Sequence, residues 1–363
     1  MEETTAKKIL RQAPVDGILL TNAANMRYAA GFTGEGYVYL SARRSIVVTD
    51  SRYTLSASAE CPGFEVIQLD NRGYYEPLIQ AVKEDGIWSL GIEDQEMTVA
   101  GYDALLEEMM KAELEELQTE PLKDYVTAYR AVKKPEEIAY IKEAEAIGDR
   151  AFERLLPRLE PGMTEKQAAA WIEFLMKEEG AEGFSFDTIA ASGIHSAMPH
   201  AVPTDKKLEN GDFLTMDFGC RYKGYCSDMT RTVVIGRVSE RQREVYNTVL
   251  RAQQAALDGM RPGMTGKEID ALARNVIKEA GYDACFGHAL GHSVGLDIHE
   301  KPVFSPKGET EIRPGMVITV EPGIYIEGFG GVRIEDLVVI TEGGCENLTH
   351  SPKELIVIEN GAG

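Results

Sequence analysis

The chain has 363 residues, with 59 Asp and Glu against 38 Lys and Arg, a formal charge of −21 and a hydrophobic fraction of 44%. At roughly 150 residues per domain this allows two or more domains with their own cores, so a disulfide-stapled miniprotein is excluded. The acidic surplus repels phosphate at long range, which argues against nucleic acid or an anionic membrane as a partner. Five scattered cysteines without a CxxC pair fit free thiols in a reducing compartment. The start, MEETTAKKIL, lacks a signal-peptide layout, and no apolar run approaches the ~20 residues of a bilayer span, so the expected location is the cytoplasm.

Between Val15 and Gly91 short β-type runs (DGILLTN, GYVYLSA, SIVVTD, FEVIQL, WSLGIED) alternate with turns and, later, with helical patterns such as NRGYYEPLIQAVKEDG. This predicts an N-terminal α/β domain over residues 1–128, followed by a second domain over 129–363. The stretch VKKPEEIAYIKEAEAIGDRAFERLLPRL predicts a helix with Pro135 in its first turn, acids early and arginines late, as the helix dipole prefers. Within the second domain PGMTEKQ (161–167) and PGMTGKE (262–268) lie 101 residues apart, and the same offset aligns Lys177, Glu178 and Gly180 with Lys278, Glu279 and Gly281. Each copy starts a helix with a capping box, Thr164 with Gln167 and Thr265 with Glu268. Shared capping alone does not preserve the distal residues at one offset, so two α/β halves around a central cleft are expected.

Carboxylates in apolar runs follow. In GDFLTMDFGCRYKGYCSDMTRTVVIG, a hairpin loop at 221–224 sets Asp217 directly opposite Asp228. In MVITVEPGIYIEGFGGVRIEDLVVI, a turn centred on Gly328 sets Glu321 opposite Glu335, with Pro322 distorting the first strand. Acids are common in so acidic a chain, but four of them among apolar neighbours are costly to bury unless a proton or cation is shared. Four of the six histidines cluster, His195 and His200 in SGIHSAMPH and His292 and His299 in GHALGHSVGLDIHE, with His288 just before. Four carboxylates and an imidazole suit two ions such as Mn²⁺ or Co²⁺ better than a thiol-rich structural zinc. Such a pair supports hydrolysis.

The ordered set SGIHSAMPH, MDFGCRYKGYCSDMTRT, GHSVGLDIHE, VEPGIY and GVRIED resembles the pita-bread metallopeptidases, in the Xaa-Pro dipeptidase (prolidase) and aminopeptidase P branch. The resemblance implies a small creatinase/prolidase-like α/β domain before a pita-bread domain with an internal pseudo-twofold repeat. It implies five ligands to two divalent ions, Mn²⁺ first with Co²⁺ or Zn²⁺ as alternatives: Asp217 on one ion, His292 and Glu321 on the other, Asp228 and Glu335 bridging. It selects His292 over His288 as ligand. The implied substrate is a peptide with proline at its second position, or an Xaa-Pro dipeptide, attacked by a metal-bridging hydroxide while Glu321 shuttles the proton. His200 and His299 are implied to bind substrate and stabilise the oxyanion, assisted by Tyr325 and Arg333; His195 receives no role. By the same resemblance the protein is a homodimer and Arg52 of TDSRYT reaches the partner subunit's site, against the simpler reading of Arg52 as a solvated strand-end charge. Rival readings are a non-catalytic pita-bread interaction protein, or a methionine aminopeptidase-like or creatinase-like hydrolase. The complete ligand set argues against the first and last of these, and the spacing of Glu321 and Glu335 against the second.

Overall fold

The computed structural model describes residues 4–359. It divides into two compact units, Met1–Arg130 and Ala131–Gly363.

The first unit is built on a six-stranded sheet in the order β4-β3-β2-β1-β5-β6. Its strands are β1 (Gly17–Leu20), β2 (Gly36–Ser41), β3 (Ser45–Thr49), β4 (Glu65–Gln68), β5 (Ser89–Ile92) and β6 (Gln118–Pro121). The first five coincide with the β-type runs of the sequence; β6 carries the polar segment QTEP and gives no apolar signal, because it is an edge strand paired on one side with β5. Strand alternation sends Ile18, Leu20, Val38, Leu40 and Val47 to one apolar cluster and Leu19, Tyr37, Tyr39, Ile46 and Val48 to another, so both faces of the sheet are covered.

In the second unit the helix Pro135–Leu155 starts with Glu136 and Glu137, ends near Arg154, and buries Ile141, Ala144, Ile147, Ala151, Phe152 and Leu155. Four sheets follow. A small one joins β7 (Gly183–Phe184), β10 (Cys220–Tyr222) and β11 (Tyr225–Cys226). The second runs β20-β12-β9-β8, from β8 (Ile189–Ser192), β9 (Phe213–Phe218), β12 (Met229–Ile235) and β20 (Val357–Ile358). The third runs β14-β13-β15-β18-β19, from β13 (Gly291–Ser293), β14 (Glu300–Phe304), β15 (Val317–Val320), β18 (Asp336–Thr341) and β19 (Gly344–Asn347). The last pairs β16 (Gly323–Ile326) with β17 (Gly330–Arg333).

The sequence repeat is a structural repeat. Helices Glu165–Glu178 and Gly266–Glu279 both open with complete capping boxes on Thr164 and Thr265. Before each cap the Pro-Gly turn is pinned to a distant chain in the same way: Gly162 N–H donates to Leu208 O at 2.8 Å and Gly263 N–H to Ile312 O at 2.9 Å. One helix of each half buries its apolar face in a separate cluster, Ile172 and Leu175 in one, Ile269 and Ile277 in the other. The two halves thus present two sheets whose strand ends carry the acids.

Among the described residues of this unit, the Lys133–Glu300 ion pair is nearly sealed from water. Lys133 Nζ lies 3.0 Å from Glu300 Oε2, with side-chain exposures of 1% and 2%. Truncating one member of such a pair strands the other charge, at a cost of about 3–5 kcal/mol. Lys133→Met is therefore expected to lower the unfolding free energy by about that amount in urea titrations, whereas the double change Lys133→Met, Glu300→Leu recovers most of it.

Candidate metal centre

Strands β9 and β12 form the antiparallel pair expected around Asp217 and Asp228, and β10 and β11 close it. The turn, however, is the two-residue Lys223-Gly224, with φ of +48° and +77°, the positive values that a tight hairpin turn matching strand twist requires. Its centre lies one residue beyond the count made from a four-residue loop. Asp217 consequently faces Thr230 rather than Asp228. The correction moves the register by two positions, which preserves the face because side chains alternate with period two. Asp217 and Asp228 still converge as diagonal neighbours, and together with Glu335 they offer oxygen atoms within 4.8 Å of one another.

The second hairpin runs in the register predicted from Gly328: Gly323 faces Arg333 on one side of the break and Val320 faces Asp336 on the other. Pro322 does interrupt the strand, dividing it into β15 and β16. Glu321 and Glu335 stand at that break, where the chain passes from one sheet to the other. Both carboxylates have supporting hydroxyls: Thr230 Oγ1 donates to Glu335 Oε2 at 2.7 Å and Thr319 Oγ1 to Glu321 Oε1 at 3.3 Å. Beneath them the buried Arg231 donates to the carbonyls of Thr230 and Glu335 and to Asp336, tying the two ligand-bearing segments together.

His292, on β13, directs Nδ1 to the carbonyl of Ser293 at 3.1 Å. A carbonyl only accepts, so Nδ1 carries the proton and Nε2 keeps its lone pair, 3.5 Å from Asp228 Oδ2 and 3.6 Å from Glu321 Oε1. Burial holds this imidazole neutral by lowering its pKa to about 4. Arg333 donates to Asp217 Oδ2 at 2.6 Å and to the Tyr325 hydroxyl at 2.8 Å. Tyr325 in turn donates to Nε2 of His288, whose Nδ1–H is committed to Ala289 O. His288, a residue to which its spacing in the sequence assigns no role, therefore belongs to the site as the acceptor at the end of an Arg333–Tyr325 relay.

By themselves, the donor groups are electrostatically unfavourable together. Burial first, then mutual repulsion, pushes Asp228 and Glu335 well above the carboxylate range and Glu321 to about 8. Asp217 Oδ1 is buried without a hydrogen-bond partner. Glu145, fully buried in the Pro135 helix, accepts the Asp228 N–H and is itself raised to about 8 by burial and by Asp149. An unpartnered buried carboxylate oxygen, three repelling acids and a neutral imidazole with a free lone pair together fit divalent cations bound through oxygen and nitrogen.

These side chains line a cavity of about 460 Å³. His200 and His299 stand on its wall, both exposed, with the His299 ring 4.5 Å from that of His292. The opposite character is supplied by Phe186, Ile189, Val202 and Ile298. His195 does not line the cavity; its Nδ1 lies 3.1 Å from Glu165 Oε1. Arg52, in the first unit, is 61% exposed and pairs with Glu35 at 2.6 Å and Asp50 at 2.7 Å. Thr230, Arg231 and Glu145 are not singled out by sequence reasoning, and His288 enters there only as the histidine passed over for His292. The signal for the first two was present in the alternation of SDMTRT beside Asp228, but their partners come from residues more than a hundred positions away.

A duplicated α/β domain holding this donor set at a cavity defines a metal-dependent enzyme. Residues 139–342 match the model of metallopeptidase family M24 and residues 4–132 that of the creatinase/prolidase N-terminal domain, and the chain belongs to the M24 family. Its M24 domain has the pita-bread fold. A Xaa-Pro dipeptidase of Pyrococcus horikoshii is 40% identical, over 94% of this chain and 95% of that protein. The structure of a Xaa-Pro dipeptidase from Bacillus anthracis superposes with a TM-score of 0.91 at 44% identity, covering 97% and 98% of the two chains. That of an X-Pro aminopeptidase from Thermotoga maritima gives 0.89 at 39% identity, covering 97% and 100%. No helix among the described residues is long and apolar enough to cross a membrane.

The raised carboxyls make a signed prediction for the metal-free protein. Unfolded, these acids titrate near 4; folded, they keep their protons to higher pH, so the stability they contribute at low pH is lost as pH rises toward about 8. The metal-free protein is expected to melt at a lower temperature at about pH 8.5 than at about pH 6, and excess Mn²⁺ to remove most of that difference, as read by scanning calorimetry.

Proposed function

We propose that the protein is a dimetal exopeptidase that hydrolyses the bond before proline, in Xaa-Pro dipeptides or at the N-terminus of longer peptides, and that residues 129–363 form its catalytic domain. The observation that carries this reading is that Asp217, Asp228, His292, Glu321 and Glu335 line one cavity, several of them within hydrogen-bond or van der Waals reach of one another, together with His200, His299 and Arg333. The names of the Pyrococcus, Bacillus and Thermotoga relatives supply the proline preference.

The five residues would hold two divalent ions, Mn²⁺ in preference to Co²⁺ or Zn²⁺, with Asp217 on one, His292 and Glu321 on the other and Asp228 and Glu335 shared. When bound, the ions supply a nucleophilic water at neutral pH and Lewis acidity toward the peptide carbonyl. Glu321 accepts a proton at its carboxylate and returns it to the leaving proline nitrogen. His200 and His299, facing the cavity from different segments, hold the peptide and donate to the carbonyl oxygen as it becomes an oxyanion. Arg333 fixes the Asp217 carboxylate and orients the Tyr325 hydroxyl, which gives the relay through His288 a defined direction. Phe186 and Ile189 add an apolar wall for the side chains of the peptide.

The assembly we propose is a homodimer, in which Arg52 is the candidate for contact with a peptide bound by the partner copy. Methionine aminopeptidase-like and creatinase-like chemistry, and a purely binding role, are the alternatives that the experiment separates.

Cleavage of an Xaa-Pro dipeptide and an Xaa-Pro-Yaa tripeptide is expected with Mn²⁺, with loss of activity on chelation and recovery on adding the ion back. Glu321→Ala is expected to lower kcat by about 10²–10⁴-fold, the range for removing a general acid–base. A Mn²⁺-loaded wild type that cleaves neither peptide refutes the proline-directed reading, and near-wild-type turnover by Glu321→Ala refutes the proton-transfer role.

A further inference from the structure

His200 sits on a strap of chain that leaves β8 at Ser192 and returns at Thr204. Both ends of this strap are gripped by one carboxylate outside the cavity. Glu165 Oε1 accepts the Ser192 N–H at 2.7 Å and the Ser192 hydroxyl at 2.8 Å, and lies 3.1 Å from His195 Nδ1. Its Oε2 accepts the Thr204 N–H at 3.0 Å and the Thr204 hydroxyl at 2.5 Å. The side chain is wholly buried, so these donors replace the water it has lost. From the other side the strap is held by Ser196, whose hydroxyl accepts the Gly331 N–H, and by Pro199, whose carbonyl accepts from Arg333.

The helix does not need this carboxylate. Its cap is made by Thr164 and Gln167, and the second half of the domain builds the same helix start with glycine in place of Glu165. The backbone bonds correspond pair by pair: Glu165 N–H to Lys206 O and Lys166 N–H to Thr204 O in the first half, Gly266 N–H to Thr310 O and Lys267 N–H to Gly308 O in the second. There the chain closes directly, since a Cβ on Gly266 would stand 2.3 Å from Val303 O. In the first half the corresponding space is occupied by a carboxylate whose every partner lies on the strap.

We propose that Glu165 is a positioning residue for peptide hydrolysis, acting through the 192–204 strap to hold His200 against the substrate. This rests on the substrate-binding role given to His200 under the proposed function. Both carboxylate oxygens are needed as acceptors, so an amide of the same size fails: its NH₂ must face either the Ser192 or the Thr204 donors. A displaced strap moves His200 by a fraction of an ångström to about an ångström, enough to cost up to about a hundredfold in rate.

The test compares wild type, Glu165→Gln, His200→Ala and the double variant for kcat and KM on an Xaa-Pro dipeptide with Mn²⁺, with bound metal measured alongside. Glu165→Gln is expected to lower kcat/KM by about tenfold to a hundredfold at unchanged metal content, and to cost almost nothing further in the His200→Ala background. Wild-type kcat/KM in Glu165→Gln, or an equal loss with and without His200, overturns the proposal. Harmless His200→Ala refutes instead the role of His200 on which it rests. Hydrogen exchange in the metal-free protein decides the clamp independently of catalysis: amides of 193–204 should exchange about tenfold or more faster in Glu165→Gln, and unchanged protection overturns it. Should Glu165→Gln fail to fold, Thr204→Val, which removes one donor to Oε2, carries the same expectations at smaller size.

Discussion

The structure is organised around the cost of keeping like charges together. Asp217, Asp228, Glu321 and Glu335 are drawn into a site where burial and mutual repulsion favour the protonated forms of three of them. Nothing in the local chain would choose this arrangement. It is imposed by two hairpins whose apolar strands must face the core, and by an Arg231 guanidinium that fastens the hairpins to each other. Without cations such an arrangement is electrostatically unfavourable, and divalent ions held by these carboxylates would relieve it.

Around that centre the polar groups fall into two kinds. Thr230, Thr319 and Arg333 touch the carboxylates themselves and set their orientation. Glu145, Arg231 and Glu165 touch only backbone or neighbouring side chains, and set where the orienting segments lie. All three are ionisable and buried, and each is satisfied by several donors or acceptors rather than by one partner. Networks of this type resist small displacements, because shifting any member breaks more than one bond in a medium where an unmade bond is costly.

The duplication shows how the site became asymmetric on a symmetric frame. Both halves keep the Pro-Gly turn, the capping box and the same backbone bonds to a returning strand. They differ in what fills the space beside the helix start: a carboxylate beside the His200 strap in one half, a glycine close to Val303 in the other. Symmetry accounts for the fold, and departures from it account for where the chemistry is placed.

Much was legible in the sequence because it is written in local periodicities. Five strands of the first unit, the Pro135 helix, both capping boxes and the register about Gly328 follow from spacing and turn chemistry that act over a few residues. The facing of Asp217 differs from the expected one because a two-residue turn and a four-residue loop are both compatible with RYKG, and only the backbone at Lys223 and Gly224 decides between them. The pairing of acids survives this difference since a shift of two keeps side chains on their face. What the sequence alone could not determine were the contacts across a hundred residues or more: Arg231 with Glu335, Thr230 with Glu335 and Pro199 with Arg333. Each depends on how two hairpins and a strap come to rest against one another, and that is decided by packing of whole sheets, for which no short stretch of chain carries the information.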